Sequence, residues 1–169
     1  MKLLFALLLT PCCALAQDMS AATAACGPEP AKFEVKANHQ PPSFEPNPAK
    51  AVVFIAESFA AAGNGLIEPT LKIGLDGNWI GATQSNSWLS LTVDPGEHHL
   101  CVRWQSRLAQ FSRLLSLANF NAEPGKVYFF RSRLLSLDKE AILDLDPINE
   151  DQGRYLVVSS AQSEPHLKK

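Results

Sequence analysis

From residue 51 onward the chain is a series of short apolar or alternating runs, each cut off by a turn rich in glycine, proline, aspartate or asparagine. A strand buries one face with a period of two residues, whereas an amphipathic helix needs a period near 3.6 sustained over ten residues or more. Ala51-Val52-Val53-Phe54-Ile55-Ala56 reads as a buried strand, and Phe59 to Pro69 as a loop with Gly63-Asn64-Gly65 at its tip. Thr70 to Leu75 alternates and stops at Asp76-Gly77-Asn78, a turn able to supply the positive φ angles of a tight hairpin, and Trp79-Ile80-Gly81-Ala82 returns as its partner. Trp88 to Val93 places Leu89, Leu91 and Val93 on one face, and Asp94-Pro95-Gly96-Glu97 makes the next turn. In His98 to Trp104, Leu100, Val102 and Trp104 share one side while His99, Cys101 and Arg103 share the other, which puts Cys101 on an outer or edge face. Leu114 to Asn121, Val127 to Arg131 after a Glu123-Pro124-Gly125-Lys126 turn, and Ala141 to Leu145 complete the set. Strands this short and closely spaced predict a mainly β domain over residues 50–160: an Ig-like or prealbumin-like antiparallel β-sandwich of about seven or eight strands.

The flanks read differently. Residues 17–49 carry Pro28, Pro30, Pro41, Pro42, Pro46 and Pro48, and proline cannot donate to a sheet ladder or sit inside a helix. That stretch is expected to be an extended arm, with Lys32-Phe33-Glu34-Val35-Lys36 as a short edge strand. A short helix is expected from Pro147, a residue suited to the first turn, with Ile148, Gln152 and Tyr155 on one face and Gly153 limiting its length. Residues 161–169 read as a loose tail. The string from Ser112 to Leu117 recurs letter for letter from Ser132 to Leu137; two six-residue copies do not make a repeat architecture.

Residues 1–16 have the three parts of a secretory signal: Lys2, an apolar run from Leu3 to Leu9, and Ala14-Leu15-Ala16 before Gln17. The run is shorter than the roughly 20 residues needed to cross a bilayer, and no later run approaches that length. The chain is therefore expected to be exported, periplasmic or secreted, without a transmembrane segment once the signal is cleaved. Lipid anchoring through Cys12 or Cys13 is the alternative, disfavoured because Pro11 and Cys12, neither the usual small residue, precede them. Cleavage would leave Cys26 and Cys101, and an isolated pair in an oxidising compartment reads most simply as a disulfide. Closing a loop of about 75 residues is worth on the order of 4 kcal/mol by chain-entropy reasoning. A metal site is the competing reading, but the two cysteines have no neighbouring histidine pair. The formal net charge of −2, one unit more negative without Lys2, lacks the basic face of a nucleic-acid binder.

Four motifs occur in order: Ala51-Val52-Val53-Phe54-Ile55; Ile73-Gly74-Leu75-Asp76-Gly77-Asn78-Trp79-Ile80-Gly81; Pro95-Gly96-Glu97-His98-His99-Leu100; and Pro124-Gly125-Lys126-Val127-Tyr128-Phe129-Phe130. In these the run from Ala51 to about Leu145 resembles an uncharacterised bacterial family known as domain of unknown function 2846. The resemblance implies a PEGA-like or prealbumin-like sandwich in an exported or lipid-anchored envelope protein with no assigned reaction. Cys26-Gly27-Pro28 and the proline-rich arm lie outside it, and the missing lipid-attachment motif departs from its lipoprotein members.

Chemistry is sparse. His98 and His99 are adjacent and point to opposite faces of a strand, and His39 and His166 lie in the arm and tail, so no metal-ligand spacing appears. There is no Gly-x-Ser-x-Gly elbow, and Gly63-Asn64-Gly65 lacks the Lys-Ser/Thr and helix of a phosphate loop. Asp138, Glu140, Asp144, Asp146, Glu150 and Asp151 form an acidic cluster that a hydrolase could use, although a solvated acidic face explains it more simply. Trp79 and Trp88 are the aromatic lead, since exposed tryptophans stack on sugars or anchor partners; the preferred reading is that the arm covers them. The sequence thus points to a non-catalytic, cofactor-free envelope or periplasmic module binding a protein or glycan. The alternatives are a carbohydrate-binding or adhesion domain using Trp79 and Trp88, or a hydrolase using the acidic cluster.

Overall fold

The computed structural model describes residues 23–28, 30–58, 69–137 and 140–168. The expected leader of residues 1–16 with Cys12 and Cys13, the Gly63-Asn64-Gly65 tip and Asp138 lie outside the described residues. Among the described residues ten strands and two helices follow in the order β1 (Phe33–Asn38), β2 (Ala51–Ser58), β3 (Thr70–Leu75), β4 (Asn78–Gln84), β5 (Ser87–Val93), β6 (Gly96–Trp104), α1 (Ala109–Ser112), β7 (Leu115–Ala122), β8 (Val127–Leu137), β9 (Glu140–Ile148), α2 (Glu150–Val158) and β10 (Ala161–Leu167). They form a six-stranded sheet, β1-β10-β5-β2-β8-β9, and a four-stranded sheet, β4-β3-β6-β7.

The alternating positions explain why the sheets stack. Val53 and Ile55 of β2, Phe130 of β8 and Leu143 and Leu145 of β9 meet Leu71 and Ile73 of β3 and Leu100, Val102 and Trp104 of β6 in one buried core. The chain is a mainly β sandwich, as the strand pattern predicts. Two features differ from a purely antiparallel sandwich of seven or eight strands. The larger sheet is mixed, because β2 runs parallel to β8 and β10 parallel to β5. And β1 and β10 add an edge of their own.

That second difference corrects the expectation of a loose tail. β10 pairs antiparallel with β1 along its whole length, from Phe33↔Leu167 to Asn38↔Gln162. Its residues are polar, so no apolar signal marks it; the ladder and a buried Ser87–Ser163 hydroxyl contact of 2.6 Å hold it instead. Pro165 is tolerated because Lys168 donates to Lys32 O, which puts the ladder bonds on the alternate residues.

The larger sheet's outer face carries a second apolar cluster of Val52, Phe54, Ala56, Trp88, Phe129 and Val157. α2 lies on it, joined by Phe44, whose ring sits 5.1 Å from that of Phe54. The helix starts later than expected: Pro147 belongs to β9, and Asn149 is the cap, its side chain accepting from Gln152 N at 2.9 Å. Glu150 and Asp151 in the first turn suit the positive end of the helix dipole. The buried face is Gly153 and Val157, while Gln152 and Tyr155 point outward. Gly153 is where the helix meets Phe129, and a Cβ there would come within 2.2 Å of the ring, so glycine sets the distance of approach.

Candidate functional site

The outer face of the four-stranded sheet gathers three of the four residues singled out from the sequence: Cys26, Cys101 and Trp79. Register places Lys72 beside Ala82 and Arg103, and Gly74 beside Trp79 and Cys101, so these positions share the side away from the core. Cys101 is on the outer face as the alternation predicts. It is not at an edge, because β6 lies between β3 and β7. A polar outer face must be solvated or covered, and here residues 23–28 and 30–33, which begin in turns rather than as the expected extended arm, lie over it.

The cover is bonded at several points. Cys26 and Cys101 form a disulfide with Cα atoms 5.1 Å apart, and Cys101 is fully buried beneath it. Gly77 N donates to Ala25 O at 3.1 Å. The Trp79 indole Nε1 donates to Pro28 O at 2.9 Å, and the Lys72 Nζ to Ala31 O at 3.3 Å. The Lys72 ammonium also lies 4.1 Å above the Trp79 ring, a cation–π contact that helps keep a charge whose residue is only 3% exposed. Farther along, the Gln105 side chain behaves as a strand residue would: Oε1 accepts from Phe33 N at 2.7 Å and Nε2 donates to Phe33 O at 2.8 Å. Apart from the disulfide, each of these bonds goes to the backbone of the arm. Gly27 is the one arm residue selected sterically, since a Cβ would come within 2.4 Å of Trp79.

At one end of the same sheet, on the core-facing side that it shares with Leu100 and Val102, stands His98, its ring 5.6 Å from that of Phe120. Its Nδ1 lies 2.6 Å from Asp76 Oδ2 and its Nε2 2.7 Å from Asp94 O. Asp76, held at φ 48°, also accepts from His99 N at 2.8 Å through Oδ1. Burial opposes charge on His98, but the bonds to Asp76 and Asp94 outweigh it and raise its pKa above the usual 6.5. Burial likewise pushes the Asp76 carboxyl up, yet the His99 N–H and the His98 ring bring it below the usual 3.8. The adjacent histidines diverge as expected, with His99 pointing into solvent near Glu97.

The remaining candidates lie elsewhere. Trp88 is on the other sheet, 3% exposed, with its ring 5.6 Å from Phe54 under α2. The two tryptophans lie on opposite sides of the sandwich: the arm lies against Trp79, which stays half-buried, while Trp88 is covered by α2 and Phe44. The acidic cluster also disperses. Asp144 and Asp146 both accept from the Arg133 guanidinium, at 2.6 and 2.7 Å, and Glu150 accepts from Arg154. Burial raises the Asp144 carboxyl, but its bond to Arg133 prevails and holds it below the usual range. Among the described residues no group of three His, Cys, Asp or Glu side chains is placed to hold a metal. No helix among them is long and apolar enough to cross a membrane.

Sequence reasoning missed Lys72 and Gln105. Lys72 carries a weak signal, as a lone charge inside the strand Thr70 to Leu75, whereas Gln105 follows a strand end and has none. Comparison with protein-family models, curated proteins and solved structures finds no match to this chain.

Proposed function

We propose that this chain is an exported, non-catalytic β-sandwich of the envelope or periplasm that binds a polypeptide segment on the outer face of its four-stranded sheet. The observation that carries the reading is the set of bonds from Trp79, Lys72, Gln105 and the β3–β4 turn to main-chain atoms of the segment 25–33. Recognition of this type pairs an aromatic N–H donor with a carbonyl of a proline-containing segment, and main-chain bonding supplies the affinity. The domain in effect binds its own arm.

The leader-like N-terminus, the Cys26–Cys101 disulfide and the resemblance to domain of unknown function 2846 support the envelope address. Polypeptide is favoured over glycan because Trp79 spends its ring on Lys72 and its N–H on a peptide carbonyl, while Trp88 lies under α2. A non-catalytic role is favoured because His98 has both ring nitrogens engaged and Asp144 and Asp146 are held by Arg133, which leaves none of them poised as an acid or base.

The test uses the full chain with Cys26→Ser and Gly27→Val, which forces the arm off Trp79 and leaves the face intact. A synthetic peptide of residues 23–33, with serine at the cysteine position, is expected to bind saturably and shift the Trp79 indole N–H resonance. The same peptide with valine at the glycine position should not bind. Binding to an arrayed glycan that Trp79→Ala abolishes, with no peptide binding, would replace this reading by the carbohydrate one.

A further inference from the structure

His98 is engaged in a way that only one protonation state satisfies. Both its neighbours are acceptors, the Asp76 carboxylate at 2.6 Å and the Asp94 carbonyl at 2.7 Å. A neutral imidazole has one N–H and so serves one of them, setting a ring lone pair against oxygen at the other; the imidazolium donates to both. The ring is largely enclosed, 14% exposed, and lies 5.6 Å from the Phe120 ring of β7, so solvent does little to relieve a mismatch.

The two turns that His98 joins differ in what lies beyond them. Asp94 sits in the β5–β6 turn and is paired at 3.0 Å with Lys50, the residue before β2. Asp76 opens the β3–β4 turn, whose next residue, Gly77, donates to Ala25 O of the arm. The other charged groups near the ring are on its own strand: Glu97, and His99, whose side chain is 3.8 Å from Glu97 and whose N–H holds Asp76. From β7, Phe120 and its neighbours Asn119 and Asn121 bring no charge. The Asp76 carboxylate is therefore the anion whose hold depends on the His98 proton, and it sits next to the bond that fastens the arm.

We propose that His98 is a pH-sensitive latch on the arm: protonated, it ties the β3–β4 turn to the β5–β6 turn and steadies Gly77 against Ala25, and on losing its proton to solvent it slackens the β3–β4 turn and loosens that bond, while the disulfide keeps Cys26 in place. This rests on the reading of the outer face as a polypeptide site and adds its regulation. The sign follows from linkage. The folded pKa of His98 is raised, so its hold is complete below the usual 6.5 and is lost as pH rises through the raised value. The Asp76 pKa is lowered, so its share is present above 3.8 and lost only in strong acid.

The experiment follows the wild-type, disulfide-bonded chain by NMR from pH 5.5 to 9.5, reading the His98 ring, the protection of the Gly77 amide and the Trp79 indole N–H. Gly77 protection is expected to fall about tenfold as His98 deprotonates, the size of losing one charge-assisted hydrogen bond at the turn. His98→Gln, which cannot titrate, should flatten the profile. Asp76→Asn should return His98 toward its ordinary pKa and flatten it too, and serves if the glutamine variant does not fold. A flat wild-type profile, or one that survives both substitutions, overturns the latch. The peptide titration described above, run on the arm-displaced chain, separates the two ideas. A latch that titrates while no peptide binds refutes the binding reading alone, whereas peptide binding with a flat Gly77 profile refutes the latch alone.

Discussion

The two outer faces of the sandwich are both closed, but by different physics. On the six-stranded sheet, α2 and Phe44 cover an apolar patch: Phe54 stacks on Phe129 at 5.3 Å, and Val157 is fully buried. Burying a side chain such as Val157 is worth about 1.5–3 kcal/mol, so that cover belongs to the fold. On the four-stranded sheet the cover is a turn-containing arm that buries Ala25 and Phe33 and is held by the disulfide and by bonds to its main chain. A neutral hydrogen bond contributes about 0.5–1.5 kcal/mol net, because water competes for both partners. One face is therefore a second core, and the other, on the proposed reading, is a site with an occupant.

Substitutions should separate the faces by size and by kind. Phe54→Ala removes the ring that touches Phe44, Trp88 and Phe129 and should cost about 3–5 kcal/mol in denaturant unfolding. Replacing both Cys26 and Cys101 by serine should cost about 2–4 kcal/mol, since the bond closes a loop with a sequence separation of 75. The sharpest comparison is between two glycines. Gly153→Val drives a side chain into Phe129 and should destabilise the whole domain by about 1–3 kcal/mol or more. Gly27→Val meets Trp79 just as closely, yet should release the arm locally and leave the unfolding midpoint within about 0.5 kcal/mol of wild type. Equal global losses for the two would erase the distinction. Smallest of all, Trp79→Phe keeps the ring and deletes the N–H to Pro28 O, and should weaken trans peptide binding about tenfold with the melting temperature almost unchanged.

How legible this was depended on which force made each element. The central strands advertised themselves: Ala51 to Ala56 is apolar because both faces of β2 are buried, and the faces of His98 to Trp104 were readable from alternation, Cys101 included. The turns at Asp76-Gly77 and Pro95-Gly96 were legible from their backbone demands. β10 was not, because a polar edge strand held by its ladder leaves no hydrophobic period. The recurring six-residue string shows the same limit. In one copy Ser112 closes α1 and Leu115 opens β7, while the other copy lies wholly within β8. Identical letters took different structures because neighbouring strands decided between them. Of the site, the disulfide and Trp79 could be found in the sequence. Gln105 could not, since a side-chain amide completing another strand's bonding is a fact of position alone.

On the proposed reading the arm is a detachable occupant and α2 a part of the core. Native-state hydrogen exchange at neutral pH tests it residue by residue. The amides of Phe33, bonded to Gln105, and Gly77, bonded to Ala25, should exchange through a local opening well below the global unfolding free energy and respond little to dilute denaturant. The Gly153 amide, bonded to Asn149 O in α2, should exchange only with global unfolding and follow its denaturant slope. Finding Phe33 and Gly77 on the same global isotherm as Gly153 would contradict the account, because the arm would then be as integral to the fold as the helix.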